Sequence, residues 1–243
     1  MVFTISVADV NIEIHSIFEE VYNLCVDYIS DKKPDFTVII TEKDIDFERE
    51  KSRREAFFEH KPLYDFPDSY LETLAVYRKI AVGLLDFGAF VMHGAVVGLG
   101  GKAYMFTAPS GVGKTTHTKF WLEQFPDAFI INGDKPVIKI TKDGIYACGT
   151  PWAGKENINT NISLPLCAVC ILTRGKENSI EKIEFSKIYP LIFGQTYRPS
   201  EEEKLKKTMA YIKDLGNSTN FYLLKCNLQK TAANVAFRGM NNG

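Results

Sequence analysis

Residues 106–121 read FTAPSGVGKTTHTKFW. A phosphate-binding loop asks for glycine, four further residues, then Gly-Lys-Ser/Thr. Residues 108–115 meet that pattern with Ala108 in place of the first glycine. Each residue type has a physical reason. Gly111 and Gly113 permit backbone angles that turn successive N–H groups inward as an anion nest. A helix starting directly after the loop aims its positive end at the same point. Lys114 is then the cation for the β- and γ-phosphates, and the Thr115 hydroxyl is a ligand for Mg²⁺. The apolar AYMF before the loop and TTHTKFWLEQF after it supply the strand and the helix. The candidate nucleotide contacts are Ser110, Gly111, Val112, Gly113, Lys114, Thr115 and Thr116.

Such a site needs a second Mg²⁺ ligand, an acid at the end of an apolar strand. AFIINGDKP places Asp134 there, one helix and one strand past the lysine. The plainer reading of Asn-Gly-Asp is a turn.

Working outward, FVMHGAVVGL (90–99), a Gly-Gly turn and KAYMFTA (102–108) predict an antiparallel hairpin that leads into the loop. DAFIIN (127–132), a hairpin about Asp143-Gly144, SLPLCAVCIL (163–172) and NFYLLKCN (220–227) read as further strands. Helices are expected at 17–29, from about 68 to Gly88, at about 115–125, at 200–216 and at the C-terminus. Ser69 with Glu72, and Ser200 with Glu203, have the spacing of capping boxes. The charge-rich 42–55 reads as a solvated face. FTISVADVNIEIHS (3–16) alternates as one or two strands rather than as a signal peptide. Together these predict an α/β fold with a mixed sheet, divided near residue 65 into a small N-terminal α+β region (1–65) and a loop-bearing domain (66–243).

The 243 residues carry a net charge of −1, so no basic field points to nucleic acid or a membrane surface. No stretch reaches the length of apolar residues that a membrane span needs. Five scattered cysteines fit a reduced, cytoplasmic protein. Cys167 and Cys170 form a C-x-x-C inside an unbroken apolar run, which reads as buried strand rather than zinc or redox chemistry.

MHGAVVGLGGKAYMFTAPSGVGKTTHTKFW, FIINGDKPVI and GTPWAGKENINTN together resemble the HPr kinase/phosphatase-like and phosphoenolpyruvate-carboxykinase-like group of P-loop proteins, over about residues 90–175. The resemblance rests on the His93-Gly94 strand, the short S-G-x-G-K-[ST] loop and the acidic strand end one helix later. It implies a mixed-sheet P-loop fold and Mg²⁺-dependent transfer of the γ-phosphoryl of ATP or GTP, usually to a hydroxyl of a peptide, protein or small molecule. Members of the group often assemble, so a homo-oligomer is compatible with it. One departure matters. The group usually has two adjacent acids where this chain has Gly133-Asp134, and the missing one is expected to take the hydroxyl proton. Another group then serves as base, or the chain is an inactivated variant, or it is a nucleotide-binding pseudokinase or switch. A carboxykinase fits less well, because the chain is short for that reaction.

Five further candidates have bland alternatives. His93 sits beside the γ-phosphate in the resemblance, or is a satisfied core histidine, and His117 in the first helical turn has a catalytic role or only lines a wall. Lys155, in the polar loop GTPWAGKENINTN (149–161) with Asn157 and Asn159, is a phosphate clamp or part of a mobile loop. Arg174, at the end of the apolar strand, is a candidate transition-state arginine or a surface charge, and Arg198 is a weaker one. No Ser-His-Asp set and no aromatic-interleaved basic patch competes.

Overall fold

The computed structural model describes residues 1–241. The chain forms two compact units, Met1–Leu84 and Leu85–Gly243. The division therefore falls after the helix expected to open the second region, not at residue 65. That helix, α3 (Asp68–Gly83), packs on α1 (Glu19–Leu24), α2 (Glu42–Phe58) and β3 (Phe36–Ile39), so its apolar face belongs to the first unit.

In the first unit, β1 (Val2–Val7) and β2 (Val10–His15) form a hairpin, and β3 adds in parallel to β2. Ile12 and Ile14 face inward and Asn11 and Glu13 outward, the alternation visible in the sequence. The helix expected over 17–29 is limited to α1, followed by a 3-10 turn at Val26–Tyr28. The box expected from Ser69 and Glu72 does not form. Glu72 is buried, and its carboxylate instead accepts hydrogen bonds from the Ile17 and Phe18 amides at 2.5 and 2.8 Å, in the turn that leads into α1. Nor is the charged run at 42–55 wholly solvated. It is helix α2, whose buried Glu48 accepts from Arg78 Nε at 2.5 Å.

The second unit holds a nine-stranded mixed sheet. Its strands are β4 (Ala89–Val91), β5 (Ala95–Leu99), β6 (Lys102–Thr107), β7 (Phe129–Asn132), β8 (Val137–Thr141), β9 (Gly144–Cys148), β10 (Ser163–Arg174), β11 (Ser179–Lys182) and β12 (Asn220–Cys226). The strand order β7-β5-β6-β10-β12 frames the site. β6, β10 and β12 are mutually parallel, while β5 runs antiparallel to both β6 and β7. The first residues of β10 pair instead with β9, which carries the β4-β8-β9 arm.

Apolar runs in β6 and β10 are continuous because both faces are covered. Met105, Val169 and Ile171 meet Ile188 and Ile192 of α5 (Phe185–Gln195) and Ile212 and Leu215 of α6 (Glu202–Ser218). Phe106, Cys170 and Leu172 meet Trp121 of α4 (Lys114–Gln124) and Ala233 and Ala236 of α7 (Thr231–Asn241). Cys170 is buried and Cys167 half-buried, as apolar strand residues. The start of α6 carries no side-chain cap from Ser200, contrary to the spacing with Glu203. Helix α5 was hidden from the sequence pattern by Pro190 in its interior.

Candidate functional site

Strand direction brings the chemistry to one edge. The carboxyl ends of β6, β10 and β12 lie together, as ligand sites in such sheets require. β7 also ends there, since it and β6 are both antiparallel to β5, and β5 begins there. The glycine-bearing loop (108–113) leaves β6, Asp134 follows β7, and His93-Gly94 precede β5. The strand expected over 90–99 is in fact two. It breaks at Met92–Gly94, where β4 leaves for β8, and the break places His93 at this edge.

The loop has the backbone that its sequence demands. Gly111 and Gly113 take φ of +79° and +121°, angles that side chains disfavour, and α4 starts at Lys114. Lys114 Nζ folds back on the loop and donates to the Ala108 carbonyl at 3.0 Å. Burial pushes the Lys114 amine below its ordinary pKa, and the nearby Asp134 carboxylate offsets this only in part.

Asp134 is held from several sides. Its Oδ1 lies 3.1 Å from His93 Nε2, and its Oδ2 lies 3.5 Å from Lys135 Nζ. Burial raises its pKa, but His93 and Lys135 outweigh burial and hold the carboxyl below the ordinary value. The His93 backbone is fixed in turn: its N–H donates to the Gln195 carbonyl at 2.6 Å, and its carbonyl accepts from Thr107 Oγ1 at 2.8 Å.

The stretch 149–161 is strapped down rather than loose. The Thr160 amide donates to the Ile131 carbonyl and its hydroxyl to the Ile130 carbonyl, while the Gly133 amide donates to the Ile158 carbonyl. Gly154, at φ +76°, brings this arm against Asp134: a Cβ there would stand 2.9 Å from the Asp134 Cβ. Gly154→Ala is therefore expected to destabilise the protein by roughly 1–2 kcal/mol, since it combines a strained angle with a close contact. Chemical denaturation measures this, and unchanged stability would mean that the arm yields freely.

A cavity of about 650 Å³ joins these groups. Ser110, Gly111, Gly113, Lys114, Thr115 and Thr116 of the loop line it, with His93, Asp134 and Lys155 opposite. Val112 and Arg174 are not brought into it. They line a second cavity of about 680 Å³ on the other flank of the loop, with Phe120 and Leu228. Strand order is the reason: β7 lies on one side of β6, and β10 and β12 on the other. Arg174 Nη2 donates to the Gly111 carbonyl at 2.9 Å, so it braces the loop from behind. His117 is buried between the Phe106 and Trp121 rings, and burial pushes its pKa down to about 4. Arg198 bonds the carbonyls that end α5. Asn157 adopts φ +48° in the arm, and Asn159 bridges Asn132.

Two features escaped the sequence reading. Asn132, fully buried, ties Asp134 to the arm, and Asn two residues before Asp is the signal for such a side-chain turn. A side chain at Gly133 would meet the Ala153 and Ile158 carbonyl oxygens at 3.0 and 3.4 Å. An acid there would face two like-charged oxygen dipoles.

Among the described residues, no three or more His, Cys, Asp or Glu side chains cluster as a metal site. Thr115 and Asp134, both lining this cavity, could hold Mg²⁺ nonetheless, because that ion typically takes one or two protein ligands and completes its shell with phosphate oxygens and water. No helix among the described residues is long and apolar enough to cross a membrane.

No family model matches the chain, and no curated protein matches it. Among solved structures it is similar to the Hpr(Ser) kinase/phosphatase from Coxiella burnetii, at 8% identity and a TM-score of 0.38, over 63% of this chain and 95% of that one.

Proposed function

We propose that the chain binds a nucleoside triphosphate with Mg²⁺ and transfers the terminal phosphoryl to a hydroxyl. The observation that carries this reading is one cavity holding a nest-forming loop, its lysine, a helix N-terminus and a half-buried acid. Loop amides and Lys114 hold the phosphates, and Thr115 and Asp134 hold the metal. When bound, Mg²⁺ neutralises charge on the transferring group. Lys155, at the exposed rim, adds a cation beside the same oxygens. His93 orients Asp134 through their contact. The cavity behind the loop suits the nucleoside end, with Arg174 and the exposed Leu228 as its walls. That placement gives Arg174 a bracing and nucleoside-side role in place of a transition-state role.

A second reading, a nucleotide-binding pseudokinase or switch, is favoured by Gly133. No acid stands at the position of the usual first acid, and a side chain there would press on the Ala153 and Ile158 carbonyl oxygens of the arm. Calorimetric titration with ATP and Mg²⁺, with phosphate release followed in the same sample, separates the two. Binding with release supports the kinase and leads to a screen of hydroxyl acceptors, peptides first. Binding without release supports the switch. Absence of binding overturns both.

A further inference from the structure

Asn132 ends β7 with its side chain fully buried, and its amide is used at both ends. Oδ1 accepts from the Asp134 and Lys135 amides at 2.9 and 2.7 Å. Nδ2 donates to the Thr150 carbonyl at 3.0 Å and to Thr150 Oγ1 at 3.1 Å. Thr150 Oγ1 donates in turn to the Lys135 carbonyl at 2.8 Å, closing the ring. The orientation of the amide is forced, because a flipped group would aim NH₂ at two backbone N–H donors. One side chain therefore sets the turn that presents Asp134 and clamps that turn to the arm bearing Gly154 and Lys155.

We infer that Asn132 is a positioning residue of the metal-binding acid: it fixes Asp134 against the phosphate loop and couples it to the 149–161 arm. The inference rests on the Mg²⁺-nucleotide reading of the site and goes beyond it by assigning a role to a residue that touches neither ligand. Outer-shell partners of metal ligands typically carry 10- to 100-fold of metal affinity because they remove the freedom of the ligand to turn away. A side chain that only completed the core would have no reason to favour the metal-bound state over the metal-free one.

The test is calorimetric, on the full chain, with ATP titrated in the presence of Mg²⁺ and again with the metal chelated. In the wild type, affinity is expected to be higher with Mg²⁺. In Asn132→Ala the gain due to Mg²⁺ should shrink by roughly tenfold or more, with metal-free affinity unchanged. Asn132→Ser keeps an acceptor for the Asp134 amide and loses the ties to Thr150. It should recover part of the gain. Where Asn132→Ala does not fold, an Asn132→Ser protein with the full wild-type gain overturns the inference. So does an Asn132→Ala protein in which both affinities fall together, or neither falls, since either result makes the amide a fold residue. Failure of the underlying reading looks different: the wild type itself then binds no ATP, or binds it equally with and without the metal, and the inference falls with it.

Discussion

Lys114→Ala is expected to lower ATP affinity by on the order of 10²-fold or more, and to stop any ATP turnover, while leaving the ligand-free protein folded. The ligand-free geometry explains both halves. Lys114 Nζ reaches the Ala108 carbonyl, and burial disfavours its charge. The cation is thus held at a cost that a triphosphate would offset, and its removal relieves the free protein. The sign can be checked by pH. A lysine whose folded pKa lies below its unfolded value binds fewer protons when folded, so stability rises with pH through that interval, up to the unfolded value near 10.5. That alkaline increment should be present in the wild type and missing in Lys114→Ala. Equal ATP affinity in the two proteins would reduce the loop to a strand–helix turn.

The part of this site that was legible in the sequence is the part made by neighbours along the chain. Gly111, Gly113 and Lys114 declare their loop because the chemistry needs those types at that spacing, whatever the rest of the fold does. Asp134 was legible as the end of a strand. The flank on which each candidate lies was not. His93, Asp134 and Lys155 meet in one cavity while Arg174 lies behind the loop, and this follows from the order β7-β5-β6-β10-β12. Pairing order is set by long-range burial on both faces of the sheet, and it leaves no local mark in apolar runs such as CAVCIL.

Capping failed for a related reason. Ser69 and Glu72 have the right spacing, but the Glu72 carboxylate finds the Ile17 and Phe18 amides, far along the chain, and a buried carboxylate gains more from two such donors than from its own helix end. The same competition hid α5. Pro190 argues against a helix locally, and the burial of Ile188 and Ile192 against the sheet overrides it. Gly133 is the opposite case: its lack of a side chain reads in the sequence as a missing acid, and the structure adds that a Cβ there would sit in tight contact with the Ala153 carbonyl oxygen at 3.0 Å.

Asp134→Asn is expected to change nucleotide binding in opposite directions with and without metal. On the proposed reading, a carboxylate on the cavity wall repels phosphate oxygens until Mg²⁺ stands between them. With the metal chelated, the neutral amide should therefore bind ATP as tightly as the wild type or more tightly. With Mg²⁺ present it should bind more weakly, by roughly 10- to 100-fold, because an anionic oxygen ligand is lost. Phosphate release, where the wild type shows it, should fall by on the order of 10²–10³-fold, the usual effect of removing one preorganised charge-stabilising group. Stability supplies an internal control. The folded pKa of Asp134 is depressed, so its stabilising contribution is full above the unfolded value near 3.8 and is lost as pH falls through the folded value. Asp134→Asn should thus be less stable than the wild type at neutral pH, with the gap closing in acid as His93 and Lys135 lose their anionic partner in both proteins. A fall in ATP affinity of equal size with and without Mg²⁺ would mean that Asp134 shapes the cavity rather than holding a metal, and would leave Lys114 and the loop amides to bind phosphate alone.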